Sequence, residues 1–181
     1  MKYDILFIQG AGVEAITEEE PLVQQLQQRL GDDFKLHHPP MPDGDNPQYA
    51  SWKHFIAEEI KKFPHVILIG HSFGGSVLLK HFAEDGVPDN YLGSILMGVP
   101  FWGEPDWEYE EFELRDDAGD KLSAVKNIFI YHSEDDQEVP FSHLTAYKKL
   151  LPGAVAREMK EIDHSYEGAL DYFERDIRAM V

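Results

Sequence analysis

Ser72 lies in GHSFGG, Gly70 to Gly75, where the apolar run Val66 to Ile69 stops and a helical pattern begins. A G-x-S-x-G pattern between a strand and a helix places its serine on a sharp, strained turn, with the hydroxyl standing clear of the backbone. Small neighbours at Gly70 and Gly74 let such a turn pack. The chemistry this serves is nucleophilic attack on a carbonyl, with the backbone N–H of the next residue, Phe73, facing the oxyanion that develops. A serine hydroxyl needs a base and an orienting acid to react. "IFIYHSEDDQEVP" closes one β-rich run with Asp135 and Asp136, and "MKEIDHSYEG" closes the last such run with Asp163 and His164. Turn chemistry alone accounts for aspartates after strands. Serine, acid and histidine in that order, each at a strand end, make a catalytic triad the better account.

The elements that must position these groups alternate along the chain. "DILFIQ" predicts a strand, and "PLVQQLQQRLG" a helix opened by Pro21 and closed by Gly31. "FKLHH" is a second strand. "PQYASWKHFIAEEIKKF" spaces Trp52, Phe55, Ile56 and Ile60 as a helix does. "HVILIG" has no alternation, as a strand buried on both faces requires. A helix from about Gly75 to Glu84, strand "LGSILMGV", strand "NIFIYH", helix "FSHLTAYKKLL", strand "AVAREMKEI" and helix "YEGALDYFERDIRAM" complete the series. This β/α alternation predicts an α/β three-layer sandwich, a mainly parallel sheet of about six strands covered by helices on both faces.

Composition narrows the function classes. With 181 residues, 43% of them hydrophobic, the chain suits a single domain spanning 1–181 with one sizeable core. Its 34 acidic and 16 basic side chains give a formal net charge of -18. Such a surface repels phosphate backbones and anionic lipid, so neither nucleic acid nor a membrane is expected as a partner. There is no cysteine, which excludes disulfides, thiolate metal sites and a thiol nucleophile. The apolar run Ile5 to Ile8 is far short of a signal-peptide core, and no window approaches a membrane span, so a cytoplasmic location is expected.

On "FIQGAG", "PPMPD" leading to "SWKHFI", "VILIGHSFGG", "SEDDQEVP" and "IDHS", nearly the whole chain resembles the α/β-hydrolase fold. Within that fold it is similar to the compact serine hydrolases related to retinoblastoma-binding protein 9; "MPD" followed by Trp52 carries the likeness to that subfamily. The resemblance implies a sheet lacking the fold's first two strands, with Ser72, Asp136 and His164 as the triad. Asp136, Val139 and Pro140 match the fold's D-x-x-V-P pattern, whereas Asp135 is displaced by one. The second oxyanion donor is expected from the loop after the first strand, at the backbone N–H of Ala11. The retinoblastoma-binding motif requires a cysteine, so no retinoblastoma-type partner is implied here.

Two decoys and one odd segment remain. "GAGVEA" fits the dinucleotide fingerprint, but Pro21 starts the helix too late for it, and "KLHHPP" offers no acid for a ribose. His37 and His38, adjacent and therefore diverging, make a poor metal pair with Asp43 and Asp45, and no metal is expected. His71 reads as the variable residue of the elbow. Phe101 to Asp120 is rich in acids and rings and falls where this fold inserts caps. It is expected to be a short lid over 101–120, with Trp102, Trp107 and Phe112 as apolar walls for substrate. The reading is a serine hydrolase acting on an ester-like or related acyl bond of a small-molecule substrate, without cofactor. The alternative is a non-catalytic binding protein on a hydrolase scaffold.

Overall fold

The computed structural model describes residues 2–181. Six strands form one sheet: β1 (Tyr3–Ile8), β2 (Phe34–His37), β3 (Val66–His71), β4 (Tyr91–Met97), β5 (Ile128–Ser133) and β6 (Val155–Met159). Their order is β2-β1-β3-β4-β5-β6, and every neighbouring pair is parallel. Parallel strands need crossovers, and helices lie in all five of them, with one more helix after β6. In chain order these are α1 (Ala15–Glu18), α2 (Glu20–Leu30), α3 (Tyr49–Ile60), α4 (Ser72–Asp85), α5 (Ala118–Leu122), α6 (Ser142–Leu150) and α7 (Leu170–Arg178). This is the α/β-hydrolase architecture.

Side-chain alternation along the strands divides the core in two. Leu6, Ile8, Leu68, Leu96 and Ile130 point to one face, where Trp52 of α3, Val77 and Leu78 of α4 and Leu144 of α6 cover them. Ile5, Phe7, Ile67, Ile69, Ile95 and Met97 point to the other, under Leu26 of α2 and Phe173 and Ile177 of α7. Burial of both faces is why β1 and β3 read as continuous apolar runs. Each fully buried Leu, Ile or Phe contributes about 1.5–3 kcal/mol. Among the described residues, no helix is long and apolar enough to cross a membrane.

The strand order reverses between β1 and β3, and their carboxyl ends open the crevice where such sheets carry ligands. Three boundaries differ from the sequence expectation. The helix after β3 begins at Ser72 itself rather than near Gly75. A short helix, Ala15–Glu18, precedes α2, so helical structure follows the glycine loop sooner than Pro21 suggested. The closing helix starts at Leu170, because Tyr166 adopts a left-handed conformation (φ +57) ahead of a 3-10 turn at Glu167–Ala169.

Candidate active site

Ser72 has φ +48, in the left-handed region that side chains other than glycine's rarely occupy. The glycines around it are there because nothing larger fits. A Cβ on Gly70 would lie 2.6 Å from Gly75 Cα, and one on Gly74 would lie 2.3 Å from the carbonyl oxygen of Gln9. A Cβ on Gly75 would meet Val99 Cγ2 at 2.4 Å. The elbow is therefore clamped between β1, β3 and the segment after β4, which holds the strained turn closed. Phe73, next along, lies in the first turn of α4, where backbone N–H groups have no partner within the helix.

Asp136 follows β5 and His164 follows β6. His164 Nδ1 lies 2.9 and 2.8 Å from the two carboxylate oxygens of Asp136. The remaining capacity of that carboxylate is filled. Oδ1 accepts from the backbone N–H of Glu138 (3.0 Å) and Val139 (2.9 Å), and Oδ2 from the Tyr166 hydroxyl (3.1 Å). Those two amides explain the D-x-x-V-P spacing: the carboxylate caps its own turn. Burial alone would raise the Asp136 pKa, but the hydrogen bonds from His164, Val139 and Glu138 hold it at about 2. Asp135, by contrast, accepts from the backbone N–H of Glu161 at 2.6 Å. Gly98 makes room for the imidazole, since a Cβ there would lie 2.9 Å from the His164 ring.

Ser72, His164, Gly10 and Ala11 line one cleft of about 270 Å³, together with Glu18 and Glu138. The fold thus brings Ser72, His164 and the glycine loop to one cleft. Among the described residues no hydrogen bond joins Ser72 to His164; His164 Nε2 lies 3.7 Å from a Glu138 carboxylate oxygen. The "MPD" stretch braces the glycine loop. Met41 N–H donates to Gln9 Oε1 (3.2 Å), Trp52 Nε1 donates to the Pro42 carbonyl (2.7 Å), and Gly12 N–H donates to the Gly44 carbonyl (2.7 Å).

The expected apolar walls are displaced. Trp102, Trp107 and Phe112 are not among the residues lining the Ser72 cleft. Phe112 and Trp102 pack on the ring of Phe73 at 4.4 and 5.7 Å, and Trp107 packs on His143 at 4.9 Å. Trp102 Nε1 donates to Ser76 Oγ, Glu111 accepts from Tyr49 N–H, and Lys80 donates to the Glu113 carbonyl. The Phe73 ring offers an aromatic seat on the flank of α4, and these bonds tether the acidic segment there. The cleft is consequently lined by the acids Glu18, Glu19 and Glu138 and by none of these rings.

The sequence reading did not single out Glu19, His71, Tyr166 or Gly98 as site residues. Glu19 is 6% exposed and its carboxylate meets His71, His38 and the Gly10 N–H. Burial would raise its pKa; the hydrogen bonds from His38 and His71, the His71 charge and the Gly10 amide hold it at about 2. This carboxylate already takes the Gly10 amide, and its charge counts against a phosphate at the loop. His37 turns to Asp4 (2.8 Å) and His38 to Glu19 (3.3 Å), so the two histidines diverge.

Residues 19–164 match the family described as serine hydrolase. Among solved structures, the ydeN gene product of B. subtilis is similar at 20% identity, covering 99% of this chain and 98% of that one, with a TM-score of 0.77. A carboxylesterase of the thaumarchaeon Nitrososphaera gargenis is similar at 14% identity, covering 99% and 91%, with a TM-score of 0.75. Est1E from Butyrivibrio proteoclasticus is similar at 16% identity, covering 98% and 86%, with a TM-score of 0.67. At these identities the likeness is one of fold. No curated protein matches the chain in sequence.

Proposed function

We propose that this chain, which belongs to the serine hydrolase family, hydrolyses an ester-like or related acyl bond of a small molecule through an acyl-enzyme on Ser72. The observation that carries the reading is the His164 Nδ1 to Asp136 contact, beside a strained serine in the same cleft. His164 Nε2 takes the proton of Ser72 Oγ as the oxygen attacks the carbonyl carbon. The tetrahedral oxyanion is met by the backbone N–H groups of Phe73 and Ala11. Phe73 is favoured because its amide is free at the α4 N-terminus, and Ala11 because the neighbouring Gly10 amide is already committed to Glu19. His164 then gives its proton to the leaving alcohol, takes one from an incoming water, and returns it to Ser72 as the acid leaves. Asp136 stays ionised throughout and fixes the imidazole tautomer.

Rapid mixing with an activated ester tests this. A burst of leaving group equal to the enzyme concentration, lost in Ser72→Ala, is the expected result. Steady turnover that survives in Ser72→Ala would refute the acyl-enzyme. A folded protein that turns over no ester and shows no burst would favour a binding role on this scaffold.

A further inference from the structure

Glu19 and His71 form a buried pair to which the reaction steps above assign no role. Glu19 stands between α1 and α2, and His71 ends β3; each is 6% exposed. His71 Nδ1 meets Glu19 Oε1 at 2.5 Å, and His71 Nε2 meets the backbone carbonyl oxygen of His164 at 2.8 Å. A carbonyl oxygen and an ionised carboxylate can only accept. Both ring nitrogens must then carry protons, which makes His71 an imidazolium. The same carboxylate takes the Gly10 N–H at 2.8 Å and His38 Nε2 at 3.3 Å. One pair therefore ties together the loop after β1, the elbow and the loop bearing the base.

We propose that Glu19 and His71 are positioning residues, an ion pair whose doubly protonated ring holds the His164 loop and whose carboxylate holds the Gly10–Ala11 loop against the elbow. Its kinetic consequences rest on the hydrolase reading; the protonation state and the grip on His164 do not. Glu19 faces the ring from the α1–α2 junction, with His38 behind it, and Asp136 lies beyond His164. The rings of His164 and Tyr166 lie 4.8 and 6.1 Å away. Burial opposes charge on His71, but the hydrogen bond and charge of Glu19 override it and raise its pKa, with smaller help from the His164 carbonyl and Asp136. Once pH rises past that titration the ring keeps one proton; the Glu19 carboxylate holds it on Nδ1, which leaves Nε2 and the His164 carbonyl as two acceptors 2.8 Å apart and releases the base loop. A neutral ring would also deprive Glu19 of the partner charge that favours its carboxylate, so the two groups titrate as a unit.

The test is histidine side-chain nitrogen and proton NMR on the full chain, in wild type, Glu19→Gln and His71→Gln, across the neutral and alkaline range. The ring absent from His71→Gln should be doubly protonated at neutral pH in wild type. In Glu19→Gln it should lose its second proton at least about one pH unit lower, and the downfield Nδ1–H signal of His164 against Asp136 should broaden. On an ester, Glu19→Gln should lower kcat by ~10- to ~10²-fold with little change in KM, and move the alkaline limb of the profile to lower pH. A neutral ring at position 71 in wild type at neutral pH would overturn the proposal. So would a Glu19→Gln protein that keeps both the His164 signal and the alkaline limb unchanged. If Glu19→Gln does not fold, the wild-type spectrum decides. A wild type that turns over no ester refutes the hydrolase reading while these spectra still judge this one.

Discussion

Asp135 and Asp136 are neighbours in sequence but face different partners. Asp136 Oδ2 lies 2.8 Å from His164 Nδ1, while Asp135 Oδ2 accepts from the backbone N–H of Glu161 at 2.6 Å. Successive side chains at a strand end diverge, so one carboxylate is left to the imidazole. Asp136→Asn should lower kcat by ~10⁴-fold, the cost of the same change in a serine protease triad. Asp135→Asn should lose far less, since its charge reaches the site only through solvent screening. Turnover of one activated ester by both variants, with folding checked by circular dichroism, decides between them. If Asp135→Asn is the crippled one, the triad must be redrawn.

Gly98 has φ +57, and a side chain there would press on His164. Gly98→Ala should displace the imidazole and cost ~10²-fold in kcat. The strained φ should also cost about 1 kcal/mol or more of stability. Urea unfolding and kcat read together test this. Unchanged kcat would mean that His164 does not depend on the room Gly98 leaves.

Much of this site is legible in the sequence because its groups sit at element ends that apolar periodicity marks. Val66 to Ile69, Ile128 to Tyr131 and the last strand announce where Ser72, Asp136 and His164 stand, and D-x-x-V-P fixes the register of the acid. Glu19 is illegible for a local reason. It is one of three consecutive glutamates, and only the short helix Ala15–Glu18 turns it inward while Glu18 and Glu20 stay exposed. His71 owes its role to partners at positions 19 and 164, which no local pattern links. The rings at Trp102, Trp107 and Phe112 misled for the opposite reason. Their types predict an apolar wall, but the wall they build packs on Phe73, and sequence does not say which side of α4 a long connection takes.

Glu19 also sets an acid dependence of stability. Its carboxyl is held at about 2 when folded, against an ordinary value of 4.5. A depressed carboxyl stabilises the fold above its unfolded pKa, and the contribution fades as pH falls toward the folded one. The full effect is on the order of 3 kcal/mol, with about 2 kcal/mol lost by pH ~3. Glu19→Gln should therefore be less stable than wild type at neutral pH and should lose less on acidification. Parallel stability curves for the two proteins would show that Glu19 is not depressed in the fold.

The cleft wall carries Glu18 and Glu138 beside Ser72. Neutral esters should outpace carboxylate-bearing esters of equal length in kcat/KM at low salt, and salt should narrow the gap. Glu138→Gln should narrow it as well. Equal kcat/KM for the two sets would show that these acids do not face the substrate.

The most direct measurement is intact mass after exposure to a fluorophosphonate, followed by mapping of the modified peptide. A reactive Ser72 predicts one added phosphonyl group per chain, on Ser72, with none on a folded Ser72→Ala protein. Labelling should also slow sharply in His164→Ala, which removes the base. A folded wild type that stays unlabelled, or a label that persists in Ser72→Ala, would contradict the assignment of Ser72 as nucleophile.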